Sequence, residues 1–148
     1  MNLDDKDLKI LETLKSNSDW STQKISRKTG IPITTVHNRI KRLKKEQVIK
    51  NYTVNVDYRK LGKSLAAFVL VTVDYKYLKE TKKTQYELAE KLMGQPHVES
   101  AAVITGVTDI LIKVRVSDIE QLSDFVTRYL RNFDGVENTT TAVILREL

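Results

Sequence analysis

The stretch GIPITTVHNRIKRLKKE, residues 30–46, decides how the N-terminal part of the chain folds. Gly30 suits the left-handed backbone that ends a helix, and Pro32 pushes Ile31 out of helical geometry. A new helix is therefore expected to start at about Pro32 or Ile33, since proline is tolerated in a first turn. Ile33, Val36, Ile40 and Leu43 recur at steps of three, four and three, which makes them a buried seam. The seam turns Thr34, Thr35, His37, Asn38, Lys41, Lys44 and Lys45 outward. Five Lys or Arg stand here against a single Glu. Such a face is either idle and solvated or built to lie against a polyanion.

Upstream, LDDKDLKILETLKS reads as a helix capped by Asp4, with Leu3 and Leu8 placed as a hydrophobic staple and Leu8, Ile10, Leu11 and Leu14 as its apolar stripe. The polar SNSD of residues 16–19 breaks it, and Ser21 caps a second helix, TQKISRKT, that ends at Gly30. Two short helices joined around a glycine form the helix-turn-helix arrangement, here within a three-helix, winged-type domain over residues 1–50. Downstream, VIKNYTVNVDY alternates and is rich in β-branched residues, so residues 51–62 are expected to form a β-strand linker closing at Gly62.

Residues 63–148 read strand, helix, strand, strand, helix, strand. The strands are LAAFVLVTVDY, VESAAVITG, DILIKVRV and VENTTTAVILREL. The helices run over about Thr84 to Met93 and from a Ser117/Glu120 capping box to Phe133, the second with Ile119, Leu122, Phe125, Val126, Tyr129 and Phe133 inward. That βαββαβ order is the ferredoxin-like split, so the fold class is α+β. The first strand is apolar on both faces: Leu65, Ala67, Val69, Val71 and Val73 on one, Ala66, Phe68 and Leu70 on the other. Two helices cover one face of such a sheet. A second copy is the simplest cover for the other, so a homodimer is expected.

Charge separates the two parts. Residues 1–50 hold 12 Lys/Arg and 6 Asp/Glu, and residues 51–148 hold 13 of each, so the net charge of +6 lies in the first third. This asymmetry suits a polyanion-binding module joined to a neutral one. Zero cysteines remove disulfides, thiol nucleophiles and thiolate metal sites, and fit a cytoplasmic location. No run of about 18 apolar residues exists to span a membrane, and MNLDDKDLK has no apolar core of a signal peptide. His37 and His97 lie far apart without a carboxylate cluster, so neither metal nor cofactor is expected. There is no Ser/His/Asp set and no glycine-rich phosphate loop, so the chain does not read as an enzyme.

The sequence resembles the Lrp/AsnC, or feast/famine, family of transcriptional regulators over essentially its whole length. The resemblance rests on LDDKDLKILETL, ISRKTGIPITTVHNRIKRLKKEQVIKNYTVNVDYRKLG and TGVTDILIKVRV. Family members commonly carry arginine where Asp19 stands, alanine at Ser26, serine at Pro32 and glycine at Gln47. The resemblance implies dimers and higher assemblies such as an octamer, and often a bound amino acid.

The helix-turn-helix sends its second helix into the major groove of double-stranded DNA. Thr34, Thr35, His37 and Asn38 are expected to face the bases; Asn38 suits a bidentate pair with adenine. Lys41, Arg42, Lys44 and Lys45 are expected on phosphates, with Lys24, Arg27 and Lys28 holding the flanking backbone. Arg39, beside the seam, is counted with the DNA-binding set, although a clamp on a neighbouring carboxylate explains it equally well. In the turn TGVTD, Gly106 permits a positive φ, and its neighbours Thr105 and Thr108 let backbone N–H groups converge on a carboxylate. Asp109 there suits an ammonium, so the four form a candidate amino-acid effector site, against the plainer reading of a hairpin turn with a solvated aspartate. The alternative function is a metabolite-sensing or scaffold module whose basic helices bind protein or RNA.

Overall fold

The computed structural model describes residues 2–147. The chain divides into two compact units, Met1–Val56 and Asp57–Leu148. None of the described helices is long and apolar enough to cross a membrane.

The first unit holds α1 (Asp5–Ser16), α2 (Thr22–Thr29) and α3 (Ile33–Lys45). Asp4 caps α1 in a reciprocal box with Asp7, and Ser21 caps α2 by accepting from the Lys24 N–H. Ile10, Leu14, Ile25, Ile31 and Val36 form the core, with Trp20, Ile40 and Ile49 packed on it. Two details depart from the periodicity. Leu3 and Leu8 stay exposed at 37% and 47%, outside the core, and the inner face of α1 is Asp7, Ile10 and Leu14. Ile33 is also exposed, because Ile31, in the turn before the proline, already fills the core at that end.

The strand expected over residues 51–62 is not formed: residues 51–57 make no ladder with the described residues, and residues 58–62 are turns. Alternation supplies a strand with faces, whereas a ladder also needs a neighbour. The segment is instead tethered to its own unit by the Ser18 hydroxyl donating to the Thr53 carbonyl at 3.2 Å and by Lys44 over the Tyr52 ring at 4.6 Å.

The second unit is a four-stranded antiparallel sheet of β1 (Leu65–Val73), β2 (Val98–Val103), β3 (Ile110–Val116) and β4 (Val136–Val143) in the order β2-β3-β1-β4. Ala67, Val69, Val71 and Val73 share a buried core with Ile110, Ile112, Val114 and Val116, beneath the helices. On the other face Phe68 is 38% exposed and Leu70 half-buried. Between β1 and β2 lie α4 (Tyr75–Thr81) and α5 (Gln85–Met93). The stretch before α5, assigned to no helix by its sequence, is thus itself helical: Asp74 caps α4, but Leu78 is its one buried residue, too little to show a period.

The last helix, α6 (Ile119–Asp124), begins one residue later than expected. Asp118 is the cap, while Gln121 reaches back to the Ser117 N–H. It widens into a π turn over Phe125–Tyr129. The extra residue in that turn rotates the stripe, so Leu130 is buried and Tyr129 is 41% exposed, the reverse of a regular helix.

Candidate nucleic-acid interface

The turn between α2 and α3 is built from local bonds. Gly30 takes φ +71° and its N–H donates to the Ser26 carbonyl. The Ser26 hydroxyl then crosses the turn to the Ile31 carbonyl at 2.6 Å, a bond an alanine lacks. Pro32 starts α3 without a side-chain cap. Val36 and Leu43 are fully buried and fix the rotation of α3. Thr34, His37, Asn38, Lys41, Lys44 and Lys45 are therefore exposed along one side, with Thr35 half-buried at its edge. On α2 the side chains of Lys24, Arg27 and Lys28 are exposed and, with Trp20, line a shallow concavity of about 340 Å³.

Two of the expected DNA contacts are committed elsewhere. The Arg39 guanidinium lies 2.6 Å from Asp4 Oδ2 and 3.1 Å from Asp7 Oδ1, and Arg42 donates to Asp7 Oδ2 at 2.5 Å. Of the two readings of Arg39, the carboxylate clamp is the arrangement the structure shows. Arg42 shares the clamp but keeps a side chain 42% exposed. The Asp7 N–H and the Arg39 guanidinium hold the Asp4 carboxyl below its ordinary value, and the two carboxylates raise Arg39. Asp7, fully buried between α1 and α3, is the functional residue that sequence reasoning missed. Its one signal was an acid three residues before Ile10, on the inner side of the helix.

In the second unit the four candidate effector residues share one turn. Gly106 has φ +137°, Val107 is 98% exposed, and the N–H groups of Gly106, Val107 and Thr108 have no acceptor among the described residues. Asp109 is half-buried and engaged rather than simply solvated. Its Oδ2 accepts from the Val73 N–H at 2.9 Å, and its Oδ1 from the Tyr75 hydroxyl at 2.6 Å, which raises the Tyr75 phenol. The carboxylate thus braces the hairpin against β1 and α4, and neither oxygen is idle.

Two family descriptions divide the chain: "Winged helix-turn-helix DNA-binding" matches residues 3–50 and "Lrp/AsnC ligand binding domain" matches residues 66–148. The chain belongs to the Lrp/AsnC family. An HTH-type transcriptional regulator of Pyrococcus furiosus is 40% identical over 141 residues, spanning 95% of this chain and 91% of that protein. The HTH-type transcriptional regulator FL11 of the same organism is 35% identical over 145 residues, 97% of this chain and 90% of that one. Among solved structures, Bacillus subtilis LrpC superposes with a TM-score of 0.84 at 28% identity, covering 100% of this chain and 98% of its own. A Neisseria meningitidis transcriptional regulator in complex with L-Met superposes at 0.88, with 24% identity and coverage of 99% and 92%, a likeness of fold. The Lrp/AsnC chain described here is thus an HTH-type transcriptional regulator, in a family of regulators rather than enzymes.

Proposed function

We propose that this regulator binds operator DNA through α3, with Thr34, Thr35, His37 and Asn38 towards base edges in the major groove. Lys41 and Lys45, with Lys24, Arg27 and Lys28 on α2, meet the phosphates, and Arg42 adds the part of its guanidinium that Asp7 leaves open. One observation carries this reading: buried Val36 and Leu43 fix α3 so that short polar side chains lie exposed in its first half and cations in its second. Phosphate contacts position a helix and polar contacts to bases select the sequence. A regulator of this kind works where the DNA is, in the cytoplasm.

The half-exposed sheet face around Phe68 and Leu70 supports a homodimer, with higher assemblies built on it. A symmetric dimer presents two α3 helices to half-sites about one helical turn, roughly 34 Å, apart. The unpaired N–H groups of Gly106–Thr108 support an amino-acid effector held by its carboxylate. In that arrangement Asp109 acts as the brace of the turn and offers an ammonium only its remaining lone pairs. The relative bound to L-Met makes that amino acid the first to test.

The experiment is a fluorescence-anisotropy titration of a labelled mixed-sequence duplex at rising salt. Binding should weaken steeply, the log–log slope falling by about 0.9 for each phosphate contact removed by Lys41→Ala or Lys45→Ala. Affinity that barely changes with salt contradicts the phosphate role. Sedimentation showing a monomer at micromolar concentration contradicts the dimer.

A further inference from the structure

Trp20 is the one tryptophan of the chain, and the contacts proposed above leave it without a part. It stands just ahead of Ser21, the cap of α2, with its ring half-buried against the core of Ile10, Ile25 and Val36. The same side chain forms one wall of the concavity whose other lining residues are Lys24, Arg27 and Lys28. The indole N–H has no acceptor among the described residues. It is also absent from their buried, unpartnered polar atoms, so it opens to solvent.

Every polar side-chain group lining the concavity is a donor. Lys24, Arg27 and Lys28 form no ion pair with a described residue. The first turn of α2 holds no acid, and exposed Asp19 does not line the concavity. A site of donors only, three of them cationic, takes a ligand that is anionic and purely an acceptor. In a helix-turn-helix the first helix of the pair crosses the DNA backbone, and here that helix is α2.

We infer that Trp20 is a phosphate-contacting residue, its indole N–H donating to a phosphodiester oxygen held over the concavity by Lys24, Arg27 and Lys28. The inference rests on the DNA-binding reading above. It differs from the lysine contacts in kind: a neutral donor adds affinity and orientation but releases no counterion. The packed ring also fixes the donor's position, which a lysine on four rotatable bonds does not.

The test uses the full chain and a mixed-sequence duplex of roughly three helical turns, since phosphate contacts do not depend on sequence. Trp20→Phe keeps an aromatic ring on the core and removes the N–H. We expect its affinity to fall about tenfold, as for a lost hydrogen bond to a charged acceptor. Its salt slope should stay that of the unaltered chain. Lys24→Gln should lose affinity and also flatten the slope by about 0.9. In the unaltered chain the emission of Trp20 should change on adding duplex. Trp20→Phe that binds like the unaltered chain, or Trp20 emission that duplex leaves unmoved, overturns the inference while the DNA-binding reading stands. Failure of the unaltered chain to bind duplex overturns both. Emission needs no substitution, so the inference remains testable if Trp20→Phe folds poorly, which its thermal midpoint reports.

Discussion

Asp7 shows how a single buried charge can fix one helix against another. It accepts from Arg39 and Arg42 on α3, and its carboxylate also receives the Asp4 N–H, so α1 and α3 are held by charge-assisted bonds as well as by Ile10 and Val36. Asp7→Asn halves that acceptor set and leaves Arg42 facing a neutral amide, while Arg39 keeps the Asp4 carboxylate. Because both arginines are partly exposed and can turn to water, the loss should be roughly 2–3 kcal/mol, below the full figure for breaking a buried pair. Urea unfolding of the variant checks it. Asn38 belongs to the same scale. Asn38→Ala should lower discrimination between operator and mixed-sequence duplex by about 1–3 kcal/mol while leaving the salt slope alone, as read from competition binding. Most outward-facing residues of α3 were legible in the sequence, because a helical seam assigns the opposite side by subtraction. Arg39 was not, since it lies at the border of the seam and its partner is fixed only when α1 folds against α3.

At the scale of the elements, backbone conformation marks where the turns hold and where they are strained. Gly30 adopts φ +71° with open space around its missing Cβ, so Gly30→Ala adds no clash and only backbone strain, about 1 kcal/mol. Gln47, after α3, adopts φ +58° with a side chain that makes one long bond to the Lys44 carbonyl. Gln47→Gly should relieve strain of about 1–2 kcal/mol and give back roughly half of it through the freer unfolded chain, leaving the variant slightly more stable. Thermal midpoints of the two variants should therefore move in opposite directions. The elements themselves were readable from periods of two and nearly four, including Asp4 and Ser21 as caps. The missed ones share a cause. Helix α4 has one buried residue, so no period exists to read. The π turn after α6 seats Phe125, Val126 and Leu130 together in the core against the sheet, a tertiary fit that local periodicity does not carry. The alternating segment over residues 51–57 lacks a paired neighbour among the described residues, and no sequence pattern says where a neighbour is.

For the whole molecule, charge is distributed by task. Apart from the Arg39 and Arg42 clamp, the first unit keeps its cations exposed, whereas the second pairs Lys113 and Arg115 in a cluster on the half-exposed sheet face. There Arg115 is 7% exposed, stacks on Tyr58 at 4.1 Å and donates to Glu99 and Glu147, with Lys113 bonded to the same two acids. Hydrogen bonds from Arg115 and then Lys113 hold the Glu147 carboxyl down to about 2 from an ordinary 4.5. Burial pulls Glu99 upward, and the same two cations outweigh it. A carboxyl depressed by folding stabilises the fold fully above its unfolded value, and that contribution fades as pH falls through its folded one. The second unit should therefore weaken between pH 4.5 and about 2. Glu147→Gln should unfold earlier than the unaltered chain near neutral pH, with the difference closing across that window; an offset that ignores pH contradicts the pairing. The neutral balance of this unit was visible in the sequence, but not which charges pair, because Glu147 is far from Arg115 along the chain. The central claim is that α3 reads operator DNA in two symmetric copies, and selection of bound duplexes from a random-sequence library by the purified chain tests it most directly. The account predicts an enriched motif of two inverted half-sites with centres about one helical turn apart, lost in the Thr35→Ala, Asn38→Ala double variant. A library that binds but enriches no sequence, or enriches the same motif with that variant, contradicts it.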